Sequence, residues 1–203
     1  LKSVQTFAPV RIEAWDWKGI DIKKESIWKK GVARSDSIQR KTVDVQTLEG
    51  FEVVFNDDAA GEAADVISIR RHPNHLQARL IHCKYTIKAD PGERVKDVVE
   101  VCSQAVRSSR WGWRFADLCT HVLAREKNVP INGAATRFEK GDAKKLNQLV
   151  RLSRTMPLKL EILIVQPGLS QANVTADQAM VLNAANAYLK ETVNIDLTVI
   201  GSV

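Results

Sequence analysis

Asp65 and Lys84 are the two residues best placed by type and spacing to do chemistry together. They lie on two runs rich in β-branched residues, 64–71 and 78–87, separated by the tip His72-Pro73-Asn74-His75. Such runs, bounded by turn residues, predict an antiparallel hairpin. With the turn centred between Asn74 and His75, Asp65 faces Lys84, their Cβ atoms about 4.5–5.5 Å apart. Residues two apart share a face, so Ile67 and Ile69 lie beside His82 and Leu80, leaving one end of that face polar and the other apolar. Glu62 adds a second carboxylate at the polar end, and Gln104, flanked by Arg107 and Arg110, sits in the helix that follows. An isolated acid–lysine pair is an ordinary structural ion pair of small energetic weight. Two carboxylates with a lysine, an imidazole and an amide are instead groups that can hold a hard divalent cation and stabilise charge developing on an anion.

These residues need a sheet and helices to position them. Residues 9–22 alternate as an edge strand or short hairpin carrying Trp15 and Trp17, and a basic loop anchored by Trp28 follows. Ser35 to Ser37 offer helix N-caps, and Gly50 offers the stop. Strands are expected over 51–56, 64–71 and 78–87, then helices over 94–110 and 114–128. A less regular stretch leads to a helix over 142–156, a buried strand stopped by Pro167-Gly168, a helix capped by Thr175, and a last strand over 194–201. This order fits a mixed central sheet with helices on both faces. Residues 1–34 read as an N-terminal strand and basic-loop extension, and residues 35–203 as the main α/β domain.

Composition narrows the classes. A chain of 203 residues with 44% hydrophobic content can bury one medium core. A formal charge of +6 suits a polyanionic partner where the cations cluster. Cys83, Cys102 and Cys119 are odd in number and form no C-x-x-C pair, which argues against a disulfide framework or structural zinc. Neither a P-loop nor a G-x-G-x-x-G fingerprint is present, so a nucleotide-binding domain is disfavoured. No apolar run is long enough to span a bilayer, and no signal peptide opens the chain, so a cytoplasmic protein with no membrane partner is expected. Leu1 in place of Met fits a domain taken from a larger chain.

Asp65 on one strand, His82-Cys83-Lys84 on the next and Gln104 in the following helix together resemble the PD-(D/E)xK nuclease superfamily. Residues 35–110 carry the resemblance most closely, and it extends to nuclease domains attached to helicase-like proteins of prokaryotic restriction and phage-defence systems. It implies a restriction-endonuclease-like fold and a metal-dependent endonuclease that hydrolyses DNA, with RNA an open alternative. Asp65 and Lys84 match the family's first and last motif positions. His82 stands where the family carries Asp or Glu, and Glu62 is the candidate displaced carboxylate.

The resemblance further implies that Asp65, Glu62 and the Cys83 backbone carbonyl hold Mg²⁺ or Mn²⁺. Lys84 would orient the attacking water and stabilise the phosphate, His82 would position a water or bind a softer ion, and Gln104 would hydrogen-bond water, metal shell or substrate. Arg70, Arg71, Arg107 and Arg110 are candidate phosphate contacts. Two alternatives stand beside this reading: an inert nuclease fold that binds nucleic acid or scaffolds a helicase-like complex, and a protein-interaction domain of such a machine. Other domains of a larger protein are expected partners, and homo-oligomerisation stays open. Gln39 reads as a surface residue that could also reach the site. Asp57 and Asp58 read as turn formers, His72 and His75 as part of a turn, and His121 as packed or solvent-facing. The cluster Arg110-Trp111-Gly112-Trp113-Arg114 combines cations with rings able to track a nucleic-acid backbone, although its tryptophans more often pack a core.

Overall fold

The computed structural model describes residues 9–128 and 134–203, so residues 1–8 of the N-terminal extension lie outside it. In chain order the elements are β1 (Arg11–Ala14), β2 (Trp28–Lys29), β3 (Val32–Ala33), α1 (Ile38–Leu48), β4 (Val53–Asn56), β5 (Val66–Arg71), β6 (Leu76–Cys83) and α2 (Val95–Arg107). A 3₁₀ turn (Ser108–Trp111) then leads into α3 (Phe115–Asn128), β7 (Phe138–Lys140), α4 (Ala143–Leu152), β8 (Leu158–Ser170), α5 (Ala176–Val193) and β9 (Thr198–Ser202). Seven strands form one sheet in the order β1-β9-β8-β6-β5-β4-β7, and β2 and β3 make a separate small hairpin. The half from β1 to β6 is parallel and the half from β6 to β7 antiparallel, so β6 is where the two meet. The α/β class with a mixed central sheet is therefore as expected.

Both faces of the sheet are covered. Val98, Val101 and Ala105 of α2, Leu118 and Val122 of α3, Leu146 and Leu149 of α4, and Leu182 and Leu189 of α5 bury against Ile67, Ile69, Ala78 and Leu80. Ile38 and Val43 of α1, with Trp15, Trp17 and Trp28, cover Val66, Ile81, Cys83 and Val165 on the opposite face. Each buried Leu or Ile contributes about 1.5–3 kcal/mol, which makes the sheet centre a rigid platform for what its ends carry. Helix α1 begins where the Ser37 hydroxyl accepts from the Arg40 N–H and ends at Gly50, whose φ of 83° is open to glycine at no steric cost.

The structure departs from expectation at several points. The hairpin tip is closed by the His72 N–H on the His75 carbonyl, so the turn centres on Pro73 and Asn74. The ladder runs Val66↔Ile81 and Ile67↔Leu80, two residues from the register expected, and its continuation sets His82 opposite Asp65 instead of Lys84. A shift of two preserves every face, because side-chain direction repeats every second residue. Strand β8 does not stop at Pro167-Gly168. Proline removes a donor, and the strand shifts register between Val165 and Ser170 and continues. Gly201 accommodates this, since a Cβ there would lie 2.5 Å from the Leu169 carbonyl oxygen. The irregular stretch contains β7, and the basic loop contains the β2–β3 hairpin. The N-terminal extension contributes β1 to the central sheet through β9.

Candidate functional site

Asp65 stands just before β5 and is 2% exposed. The Cys83 N–H donates to its Oδ2 (2.9 Å), and Gln39 Nε2 donates to its Oδ1 (2.9 Å). The Gln39 Oε1 accepts from the Ile27 N–H (3.2 Å), which fixes the amide orientation. Gln39 is 0% exposed, so its reading as a surface residue is corrected: α1 carries it under the sheet end to hold the carboxylate. Each Asp65 oxygen spends one lone pair on these donors and keeps another.

The loop 57–64 brings further acids to the same place. Asp57, expected as a turn former, is fully buried and binds Arg125 Nε (2.7 Å), the His121 ring (2.8 Å) and the Ala63 N–H (2.7 Å). His121 thus packs against the Trp111 ring, as expected, and also hydrogen-bonds Asp57. The Arg125 guanidinium also donates to the Asp57 and Ala60 carbonyls, and that of Arg137 to the Asn56 and Asp58 carbonyls. These two cations clamp the loop backbone, and Arg125 also holds the Asp57 carboxylate, while among the described residues neither forms an ion pair with Asp58 or Glu62. Ala59, between them, has φ of 117°, a strained value for a residue with a side chain.

Asp58, Glu62 and Asp65 each present an oxygen, all within 4.8 Å of one another. Burial, together with the charges of Asp58, Asp57 and Glu25, pushes Glu62 up to about 7 against the pull of the Ala59 N–H. Burial first, and then the Glu62 charge, push Asp65 well above the ordinary carboxylate range against the pull of the Cys83 N–H. Asp58 was legible only as one acid of a turn; the clamp that turns it toward Asp65 is built from residues distant in sequence.

His82 completes this end of the sheet. Its Nε2 lies 2.7 Å from the Ser108 Oγ, and Ser108 in turn donates to the Ala63 carbonyl (3.0 Å). Burial, then the Arg107 charge, lower the imidazole to about 3, so the ring is neutral. A cavity of about 580 Å³ opens beside it, lined by Gly61, Glu62, His82, Gln104, Arg107 and Arg110. The Gln104 Oε1 and the His82 Nδ1 are buried acceptors without a hydrogen-bond partner among the described residues.

The other expected residues either are paired at this end or lie elsewhere. Lys84 Nζ bonds Glu100 (2.5 Å) and lies 3.7 Å from Glu25, and among the described residues no ion pair joins it to Asp65. Burial disfavours the ammonium charge, but Glu100 and Glu25 outweigh it and hold Lys84 above its ordinary value. Arg70 and Arg71 lie at the other end of β5. Arg70 is spent on Gln77 (2.6 Å), the Glu49 carbonyl (2.6 Å) and the Phe51 ring. His72 and His75 stack on each other at the tip. Trp111 is buried beneath Arg110, whereas Trp113 is 81% exposed.

The donor set is consistent with a divalent cation: three carboxylate oxygens close enough to converge on one ion, beside two buried acceptors lacking a donor. The described residues include no helix long and apolar enough to cross a membrane. Neither family models, nor curated proteins, nor solved structures give a match to this chain.

Proposed function

We propose that this chain is a metal-dependent nuclease domain of restriction-endonuclease-like type. It would hydrolyse DNA phosphodiester bonds as a cytoplasmic module of a larger restriction or phage-defence protein. The observation that carries this reading is the convergence of Asp58, Glu62 and Asp65 beside a cavity flanked by Arg107 and Arg110. Asp65, Glu62 and Asp58 would hold Mg²⁺ or Mn²⁺, with the Cys83 carbonyl as a further donor. That carbonyl leaves β6 on the same side as the N–H that meets Asp65. A bound divalent ion supplies a water of lowered pKa and neutralises charge on the phosphoryl oxygens.

The chain's own residues do the rest. Gln39 and the Cys83 N–H fix Asp65 so that its free lone pairs keep one direction. The Gln104 Oε1 is an acceptor able to orient a water in the cavity. Arg107 and Arg110 attract the phosphate backbone to the cavity mouth. Lys84 stabilises the phosphate only after exchanging Glu100 for substrate.

That ion pair favours a second reading, in which the fold binds nucleic acid without cutting it because its lysine is already neutralised. Plasmid nicking in Mg²⁺ or Mn²⁺ separates the two. The nuclease reading expects cleavage by the wild type and at least ~100-fold loss in Asp65→Ala and Lys84→Ala. Salt-sensitive DNA binding without cleavage supports the second reading, and cleavage that survives both substitutions overturns the site.

A further inference from the structure

His82 departs from the acid the motif would carry, and its surroundings define what it does instead. The Ser108 hydroxyl has one hydrogen, and it goes to the Ala63 carbonyl, which only accepts (3.0 Å). The Ser108 oxygen therefore accepts from His82 Nε2 (2.7 Å), which fixes the ring hydrogen on Nε2. Nδ1 is left with a bare lone pair. The ring is 2% exposed, Nδ1 has no hydrogen-bond partner among the described residues, and it lies 4.0 Å from Oδ2 of the equally buried Asp65.

Two acceptors facing each other at that distance make no hydrogen bond, and an unsatisfied buried acceptor costs about 1–3 kcal/mol. A metal ion about 2.0–2.2 Å from each would span the gap and satisfy both. Ser108 then plays the part that outer partners of metal-bound histidines play, fixing tautomer and ring orientation through the other nitrogen.

We propose that His82 Nδ1 and Asp65 Oδ2 ligate one shared ion, and that the nitrogen donor makes this a site for a first-row transition metal in preference to Mg²⁺. The inference rests on the reading above only in taking the carboxylates to hold a cation. Mg²⁺ binds through hard oxygens and keeps its waters, whereas an imidazole donor raises affinity for transition ions.

The test is Mn²⁺ titration of the full chain, followed by pulsed electron paramagnetic resonance and by competition with Mg²⁺. The wild type is expected to show ¹⁴N coupling on bound Mn²⁺. His82→Gln should lose that coupling and lower Mn²⁺ affinity about tenfold or more relative to Mg²⁺. Ser108→Ala should keep the coupling and weaken binding by about tenfold. The wild-type spectrum decides the matter even if the variants fold poorly. Mn²⁺ binding that requires Asp65 but shows no ¹⁴N coupling means that a water bridges the two residues; this overturns the inference and leaves the nuclease reading intact. No binding of Mn²⁺ or Mg²⁺ by the wild type overturns both.

Discussion

The β5–β6 hairpin buries polar groups at both ends, and the two ends are built on opposite plans. At the tip end, Arg79 pairs with Glu161 and Glu49, Gln77 joins Glu161 to Arg70, and both arginines lie over the Phe51 ring. Cations and acids there are matched, and Arg79 is held above its ordinary value: its acidic partners outweigh the effect of burial. At the other end, Asp58, Glu62 and Asp65 converge with a neutral imidazole, and the nearby Lys84 is committed to Glu100. The first end is complete as it stands and serves to hold the sheet. The second gathers more acids than cations and, among the described residues, holds two buried acceptors with no donor, which is what the proposed cation would meet.

Removing a partner from the matched end should have the largest effect. Arg79→Ala removes its charged hydrogen bonds to Glu161 and Glu49 and should cost about 3 kcal/mol in chemical denaturation, while leaving Mn²⁺ affinity unchanged. An equal loss of metal binding would show that the two ends are not independent.

The acidic end should respond to pH with the opposite sense from a stabilising ion pair. Glu62 is raised from 4.5 to about 7, and Asp65 is raised as well. Acids that hold protons more tightly when folded contribute stability that is full below their unfolded pKa and is lost as pH rises through the folded one. Metal-free protein should therefore melt several degrees lower at pH 8 than at pH 5, and Glu62→Gln should flatten that slope. Mn²⁺ at a hundred times its Kd should return about 2.7 kcal/mol at pH 8. A metal-free melting temperature that rises between pH 5 and pH 8 would contradict the assignment of this cluster.

The smallest effect concerns the arginines. Arg107→Ala and Arg110→Ala should each reduce the salt slope of DNA binding by about one, whereas Arg70→Ala, spent at the tip end, should leave it unchanged. Equal slopes for all three would place the nucleic-acid surface elsewhere.

The elements with strong periodicity and clear caps were legible in the sequence: α1 through Ser37 and Gly50, α5 through Thr175, and the apolar runs of β4, β5 and β6. The three-residue β7 and the two-residue strands β2 and β3 were not, because alternation needs more residues than they have. The hairpin register turns on Pro73. Its preset φ suits the second position of a turn, which centres the tip one residue earlier and places His82 opposite Asp65. Asp65 and Glu62 were recognisable as a pair of acids, but Asp58, Gln39 and Ser108 join them only through tertiary contacts. A glutamine on a helix carries no local sign that its amide will meet a carboxylate across the sheet.

Strand β1 has a consequence for how this protein avoids sticking to itself. Strand β9 would otherwise bound the sheet with a row of open backbone donors and acceptors, and such a row templates pairing with other chains. Four residues from near the other end of the chain cover it, and the new rim carries Arg11 and Glu13, charges that discourage further pairing. That cover is non-local, closing a loop of nearly the whole chain, whereas the β5–β6 hairpin closes on itself. Until β1 pairs with β9, that edge of the sheet is the one open to other strands.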